Sequence, residues 1–474
     1  MKVLFYSSYH ATPHIETELE IARRLMSEGH DVFFLQCRGE LGMCYANPQH
    51  TKIGCKLCMS KVSRSYQRLN IPREKILSFP EVNIDYDKVY DREALNDVNS
   101  LKQLTYKGCD IGMAVASSLI SFIRDHKPNL QHYSGFVDRG LRTAAFVYEA
   151  ANKLLDELKP DEVYLFNGRF LEVRPFMRLC EAKSIRFYTH ERGGVLSKYM
   201  LREGSIPHSL EKAAAEIEEL WGNGGPEKEQ IGRKFFEDRK NRVVQGWHTF
   251  THNQTWNKLP AGFDHNKMNI VLFNSSMDEY EGIAGFNSRI YKDDNDGIQK
   301  IVSSFLHDTS KHFYLRVHPN LKGLKNTQLK QIDEIAANYK NLTVIRAEED
   351  IDTYGLMDHA DKVLAFGSTM GMESVYWNKP VILLGRAFYE CLNCLYIPAS
   401  HDDVVEMINK TDLLPFNQHE ALKYGYWLLS FGKPFNHYKP TSVTKGIFDE
   451  KPITPHLLWR FFYVMQNKLK NEKS

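Results

Sequence analysis

The chain lacks the features that would carry it across a membrane or onto a polyanion. No apolar stretch approaches the roughly twenty residues needed to span a bilayer. Lys and Arg number 61 against 59 Asp and Glu, a net charge of +2, so electrostatics give no case for nucleic acid. Met1-Lys2 leads only into the short apolar run Val3 to Tyr6, which is not a secretory pattern. The expected location is cytoplasmic, with peripheral contact at the inner face of a membrane left open. There is no internal repeat and no low-complexity tract. No D-x-D signature stands at a strand end, so no catalytic metal is expected. Cysteine is scarce, with eight residues in all, and a reducing compartment argues against structural disulfides.

What is present is an ordinary globular composition on a long chain. The 474 residues are 42% hydrophobic and 25% charged, which predicts two or three domains. Aromatics reach 12%. They can stack on sugars and bases, but filling cores is their default use.

The densest signal is Ala360 to Gly385, ADKVLAFGSTMGMESVYWNKPVILLG. Val363 to Phe366 reads as a buried parallel strand and Met370 to Trp377 as a helix. Asn378-Lys379-Pro380 breaks the helix, and Val381 to Leu384 is the next strand. Between the first strand and the helix stands Gly367-Ser368-Thr369. A small-residue loop at a helix N-terminus suits a phosphate, because free N–H groups and the helix dipole meet there. Ser368 and Thr369 add hydroxyls, and Glu373 lies about one turn on, where it could take a ribose hydroxyl pair. The competing reading is an ordinary N-cap. A second strand, His312 to Val317, runs directly into His318-Pro319-Asn320. Ligands gather at strand ends in open α/β sheets, and a His there can donate to, or protonate, a leaving phosphate.

These residues carry a family resemblance. RVHPN, an acidic stretch, then VLAFGSTMGMES and KPVILLG resemble bacterial capsule and surface-polysaccharide glycosyltransferases. The relatives are capsule-type Kdo transferases and bacterial sialyltransferases, which pair an HP motif with a Ser/Thr motif. The resemblance covers roughly Asn269 to Tyr389. It implies an α/β GT-B fold, two Rossmann-like domains facing a cleft, with C-terminal helices crossing back. The expected boundaries are 1–245 for an acceptor-side domain with a Cys-rich insertion at 37–58, 266–435 for a nucleotide-sugar domain, and 436–474 for the crossover. Similar HP and Ser/Thr pairs occur more loosely in nucleotide-sugar epimerases and polyol-phosphate transferases.

The N-terminal half opens β-α-β: Val3 to Ser7, a helix over Ile15 to Ser27, and Asp31 to Gln36. The loop Ser7 to His14 makes His10 and His14 acceptor-side candidates. Further helices are expected at about Cys109 to His126 and Val137 to Leu158. A strand, Asp161 to Phe166, ends in Asn167-Gly168-Arg169. Another, Ile185 to Thr189, ends in His190-Glu191-Arg192-Gly193-Gly194. Glu191 could be the base that takes the acceptor hydroxyl proton, or it could pair with an arginine. Arg169 and Arg192 could hold an anionic acceptor or the donor phosphates, while Asn167 fixes the turn or contacts substrate. The region Gly222 to Lys267 reads as a charge-rich connection. Ser275 and Ser276, at the end of the strand Asn269 to Phe273, are donor-phosphate candidates. Leu413 to Leu469 reads as largely helical, with a solvated tail after it.

Four cysteines cluster as C-x6-C-x10-C-x2-C: Cys37, Cys44, Cys55 and Cys58, in a Gly-, Asn- and Pro-rich segment. Four thiolates could bind zinc or an iron–sulfur cluster, with His50 a substitute ligand. Alternatively they are free thiols. Similar Cys-rich segments follow the second strand in some surface-polysaccharide transferases. Cys391 and Cys394 form a lone CxxC that reads as structural.

The expected activity is transfer of a sugar from a CMP- or UDP-sugar to a glycan or lipid-linked acceptor. His318 would act at the phosphate and Glu191 at the acceptor. Ser275, Ser276, Ser368, Thr369 and Glu373 would hold the donor, and His10, Asn167 and Arg169 the acceptor. The alternatives are a nucleotide-sugar epimerase or hydrolase on the same scaffold, and a non-catalytic metal-binding assembly module. Fold alone does not separate these.

Overall fold

The computed structural model describes residues 1–243 and 250–471. The ends of the expected domains at 245 and 474, and the last residues of the expected tail, lie outside the described residues. The strands are β1 Lys2–Ser7, β2 Asp31–Gln36, β3 Ile76–Leu77, β4 Glu162–Phe166, β5 Arg186–Arg192, β6 Lys198–Glu203 and β7 Met268–Phe273, followed by β8 Lys311–Arg316, β9 Leu342–Ile345, β10 Lys362–Ala365, β11 Val381–Leu383, β12 Lys433–Pro434, β13 Tyr438–Ser442 and β14 Lys445–Phe448. The chain divides into two compact units. The first is residues 1–123, 127–207 and 432–474, and the second is 124–126 and 208–431.

The first unit is built on a seven-stranded sheet of order β12-β6-β5-β4-β1-β2-β3. β1 is central and pairs in parallel with both β2 and β4. Its sequence KVLFYS is buried from Val3 onward, the continuous apolar run of a strand covered on both faces. β6 and β12 extend the far edge antiparallel. Phe5 stacks on Phe34 and Tyr164 at 5.3 and 4.8 Å, and the helix His14–Ser27 covers them with Ile15, Leu19 and Ala22. The second unit holds a wholly parallel five-stranded sheet, β11-β10-β7-β8-β9. Ile270, Leu272, Phe313, Leu315 and Leu364 form its core.

Read in chain order, both parallel sheets run third, second, first, fourth, fifth. The winding reverses beside the first strand: between β1 and β4 in one unit and between β7 and β10 in the other. Helices leave the strand ends in opposite directions there, and a crevice opens for ligands. Both units are therefore Rossmann-like α/β, the fold class that the family resemblance implies.

Three elements depart from expectation. The cysteine segment is not irregular throughout, since Lys52–Arg68 is helical with Thr51 as its cap. The charge-rich connection contains the helix Lys228–Lys240, which buries Phe235 and Phe236. It meets the helix His419–Ser430 so closely that a Cβ on Gly232 would lie 2.4 Å from the Leu422 carbonyl oxygen. That packing, shared by the helix Leu210–Asn223, places 208–240 in the second unit rather than the first. Finally, the region 413–469 holds two helices, His419–Ser430 and Leu457–Asn471, with β12 to β14 between them. Among the described residues no helix is long and apolar enough to cross a membrane.

Candidate active site

The switch point of the second unit gathers most of the residues predicted to hold a donor. β10 ends at Ala365, and Gly367, two residues on, has a φ of +91°. A Cβ there would stand 2.6 Å from the Arg386 carbonyl oxygen, so only glycine lets the loop pass under the end of β11. The backbone N–H groups of Gly367, Ser368 and Thr369 donate to no acceptor among the described residues. The Ser368 Oγ accepts from the Met370 N–H at 3.3 Å and keeps its own proton. The Ser368 carbonyl is fixed by the Tyr389 hydroxyl at 2.5 Å. Three consecutive N–H groups and a hydroxyl are thus without an acceptor among the described residues, a donor set of the kind that could take an anion.

His318 ends the neighbouring part of the same sheet edge. Its N–H donates to Asn274 Oδ1 at 2.9 Å, and its Nδ1 accepts from the Asn320 N–H at 3.3 Å. With Nδ1 accepting, the neutral ring carries its proton on Nε2. Burial lowers the His318 pKa to about 4, with Asp278 opposing and Arg124 assisting. At neutral pH this side chain is therefore neutral and offers Nε2–H as a hydrogen-bond donor, which favours the first of its two expected roles, donation to a phosphate oxygen.

Ser275 and Ser276 are committed elsewhere. The Ser275 N–H and hydroxyl both donate to Asp294 Oδ2, at 2.8 and 2.7 Å. The Ser276 hydroxyl donates to Asp278 Oδ1 at 2.5 Å, and Arg124 Nε holds the other oxygen at 2.8 Å. Both serines position the strand end and offer a phosphate no hydroxyl proton. Glu373 is corrected in the same way. It is fully buried, accepts from Arg239 Nε and Thr369 Oγ1 at 3.1 Å each, and takes the Tyr354 hydroxyl as well. Its carboxylate anchors the helix Met370–Tyr376 to the helix Lys228–Lys240 and reaches no solvent. A cavity of about 40 Å³ lies beside these strand ends, lined by Ser275, Tyr280, Lys292, Asp294, Phe366 and Arg386.

The switch point of the first unit brings together Asn167, Glu191 and His14. Asn167 takes φ +56° ahead of Gly168 at +85°, which turns the chain at the end of β4. Its Nδ2 donates to Glu191 Oε2 at 2.8 Å. Glu191 Oε1 accepts from the Arg192 N–H at 3.0 Å and lies 3.6 Å from His14 Nε2. Its side chain is 24% exposed, so the carboxylate is oriented yet reachable. His14 is buried against the Phe166 ring at 4.3 Å, and burial lowers its pKa to about 3. Arg169 lies over Phe170, 4.8 Å from the ring centre. Arg192 Nη2 donates to the Val443 carbonyl at 3.2 Å.

Sequence reasoning missed the buried acids of the first helix. In HIETELE the apolar positions mark the core face, yet Glu16, Glu18 and Glu20 are buried too. Glu18 accepts from the Ser7 hydroxyl at 2.5 Å and lies 3.4 Å from His190 Nε2. Glu16 faces Lys61 Nζ at 3.3 Å. Three acids within two turns of a helix start is the available signal, because the helix dipole favours carboxylates there.

His10 does not join Glu191. It lines a separate cavity of about 80 Å³ with Ser8 and all four clustered cysteines. His50, in a left-handed turn, does not line it. Among the described residues no group of three or more His, Cys, Asp or Glu side chains is arranged to hold a metal ion. The expected zinc or iron–sulfur site is thus not formed among the described residues, and the four thiols are free. Cys391 is exposed and Cys394 buried, both free.

Residues 285–393 match the family model described as capsule polysaccharide biosynthesis protein, a stretch that includes His318 and the 367–369 loop. No curated protein matches the chain. Among solved structures, it is similar to a KpsC beta Kdo 2,4 transferase of Thermosulfurimonas dismutans, at 15% identity and a TM-score of 0.35 over 64% of this chain and 87% of that one. The beta Kdo 2,7 transferase of the same KpsC gives 11% identity and a TM-score of 0.33, over 67% and 89%. The UDP-GlcNAc 2-epimerase of Neisseria meningitidis gives 10% and 0.22, over 81% and 82%.

Proposed function

We propose that this protein is a glycosyltransferase of capsule or surface-polysaccharide assembly, moving a sugar from a nucleotide-sugar donor to a glycan or lipid-linked acceptor. The observation that carries this reading is the run of N–H donors at Gly367–Thr369, set at a topological switch point inside the stretch matched by the capsule family model. Donor phosphate would lie on the three N–H groups and the Ser368 hydroxyl. β8 and β10 flank β7, so the ends carrying His318 and these donors are separated by two strand spacings, roughly 10 Å. A phosphate group can be approached from both. His318 Nε2–H would donate to the leaving phosphate as charge develops on it, an electrostatic role that a neutral imidazole can fill. Lys292, exposed and lining the adjacent cavity, is a further cation for a diphosphate.

On the acceptor side, Glu191 would take the hydroxyl proton as the new bond forms. Asn167 and the Arg192 N–H hold its two oxygens, so the carboxylate needs no rearrangement to act. Hydrolase or epimerase activity on this scaffold would turn over donor with no acceptor present.

Calorimetric titration with CMP-, UDP- and GDP-sugars tests the donor site. One class should bind, and Ser368→Ala with His318→Ala should weaken it by about 1–3 kcal/mol, the range for hydrogen bonds to charge. Glu191→Gln should keep donor binding and lose transfer by a factor of about 10²–10⁴. Unchanged affinity in the folded double variant would remove the Ser368 hydroxyl and His318 from donor binding, and binding of none of the sugars would remove the site itself.

A further inference from the structure

The helix Leu457–Asn471 reads LLWRFFYVMQNKLKN and is held on the first unit at its start. The His456 N–H donates to Ser60 Oγ at 3.0 Å, and Arg64 Nη1 donates to the Thr454 carbonyl at 3.2 Å. The helix packs along Lys52–Arg68. Tyr463 lines the cysteine cavity, so one face is turned inward.

The other face is apolar too. Leu457, Phe461 and Val464 stand at i, i+4 and i+7, a single stripe of a helix, and are 72%, 60% and 54% exposed. Leu458 and Phe462 flank the stripe and are also exposed. Among the described residues, six of the fourteen exposed large hydrophobic side chains fall within positions 457–464. Apolar residues exposed singly need no explanation, but such a concentration marks an interaction surface.

The charge around this face selects its partner. The sequence from Leu457 to Asn471 contains Arg460, Lys468 and Lys470 and no acid. Ahead of the helix lies a cavity of about 370 Å³, lined by Arg64, Gln67, Arg68, Pro452, Ile453 and Thr454. Neither guanidinium has a carboxylate partner among the described residues. Guanidinium groups without an acid match a phosphate headgroup. A second copy of this chain would bring the same positive charge against itself, and like charges oppose such pairing. Trp459, Phe461 and Phe462 beside Arg and Lys form the composition that settles at a membrane–water boundary. The helix has 15 residues and is about 22 Å long at 1.5 Å per residue. That is shorter than the roughly 30 Å hydrocarbon core of a bilayer, so it fits the plane of the interface and does not span.

We propose that the helix Leu457–Asn471 docks the first unit on a membrane containing anionic phospholipid. Leu457, Phe461 and Val464 enter the boundary of the acyl chains, and Arg64 and Arg68 take headgroup phosphate. The surface belongs to the first unit alone, and nothing in this inference depends on the sugar-transfer reading.

The test is sedimentation of the full chain with two kinds of vesicle, phosphatidylcholine alone and phosphatidylcholine with phosphatidylglycerol in equal parts. The protein should travel with the anionic vesicles, stay largely free of the neutral ones, and be released as salt is raised. Phe461→Ser/Val464→Ser should weaken anionic-vesicle binding by about tenfold or more, through lost apolar burial. Arg64→Gln/Arg68→Gln should weaken it while leaving the residual binding to neutral vesicles unchanged. Should the variants not fold, hydrogen exchange of the unsubstituted protein should show anionic vesicles protecting 457–464. Failure to sediment with either vesicle, equal binding to both, or protection confined to other segments would overturn the proposal. A dimer in solution that Phe461→Ser/Val464→Ser dissolves would assign the face to a second copy and overturn it as well.

Discussion

Asp294 shows how a residue that looks like a helix cap becomes a titrating element of the strand end. It is buried, and burial raises its pKa to about 7, although the Ser275 N–H and hydroxyl pull the other way. A carboxyl raised in the fold contributes stability that is fully present below its ordinary value. That contribution is lost as pH rises through the folded value. Asp294→Asn keeps an acceptor for Ser275 and removes the ionisation. Its stability relative to the unsubstituted protein should grow between about pH 4 and pH 7 and then level, by on the order of 2–4 kcal/mol. Denaturant unfolding at several pH values reads this directly, and a difference that does not change with pH would mean that Asp294 is ionised throughout. His10, at about 4, His14, at about 3, and His318, at about 4, have the opposite sign. Their contribution is complete above the ordinary histidine value and is lost as pH falls toward the folded one. At this scale the sequence was least informative. Ser275, Ser276 and Glu373 have the right types at the right strand ends, but spacing does not reveal which partner already holds a hydroxyl proton or a carboxylate.

Elements were legible where apolar residues kept a single period. The helix His14–Ser27, the strands β1, β2, β7 and β10, and the helix Ser134–Leu158 all follow from it within a few residues. The helix Lys52–Arg68 was not legible, because glycine and cysteines occupy its first turns and its apolar face is weak. The helix Lys228–Lys240 was hidden by its charges, and only Phe235 and Phe236 mark its buried side. The first helix also holds the C-terminal segment in the first unit. Both Glu20 carboxylate oxygens accept backbone N–H groups, from Asn436 at 2.7 Å and from His437 and Tyr438 at 2.9 and 3.2 Å. Hydrogen bonds to a charged acceptor contribute about 1.5–3 kcal/mol each, less than additively when shared. Glu20→Ala should therefore cost about 2–4 kcal/mol and increase hydrogen exchange at 436–438, while Glu20→Gln should fall between. If Glu20→Ala leaves exchange at 436–438 unaltered, the segment is held by β12 and the packing of Tyr438 and Phe448 instead.

Over the whole molecule, the strand order explains why separate motifs mark separate tasks. Each unit winds outward from its first strand, so the two loops flanking that strand meet at one crevice. In the second unit these are 274–276 and 367–369, and in the first they are 7–14 and 167–169. The alternation of strand and helix was readable in sequence, whereas the strand order that sets the crevice was not. Where the chain passes from one unit to the other was less readable. The passages at 123–127, 207–208 and 431–432 carry only isolated breakers such as Pro207 and Gly432, which do not stand out from those in ordinary loops, and helix packing rather than composition sets them. Assignment of the donor site and the cysteine cavity to different units can be tested in a single experiment. Hydrogen exchange followed by peptide mass spectrometry should show that the bound nucleotide sugar protects 366–371 and 318–321 most strongly, since a ligand that binds only the native state suppresses local opening where it sits. Cys55→Ser/Cys58→Ser should instead increase exchange at 37–68 and leave 366–371 unchanged in the free protein. Strongest donor protection at 37–68 would place the nucleotide sugar in the cysteine cavity and overturn the assignment of the two sites.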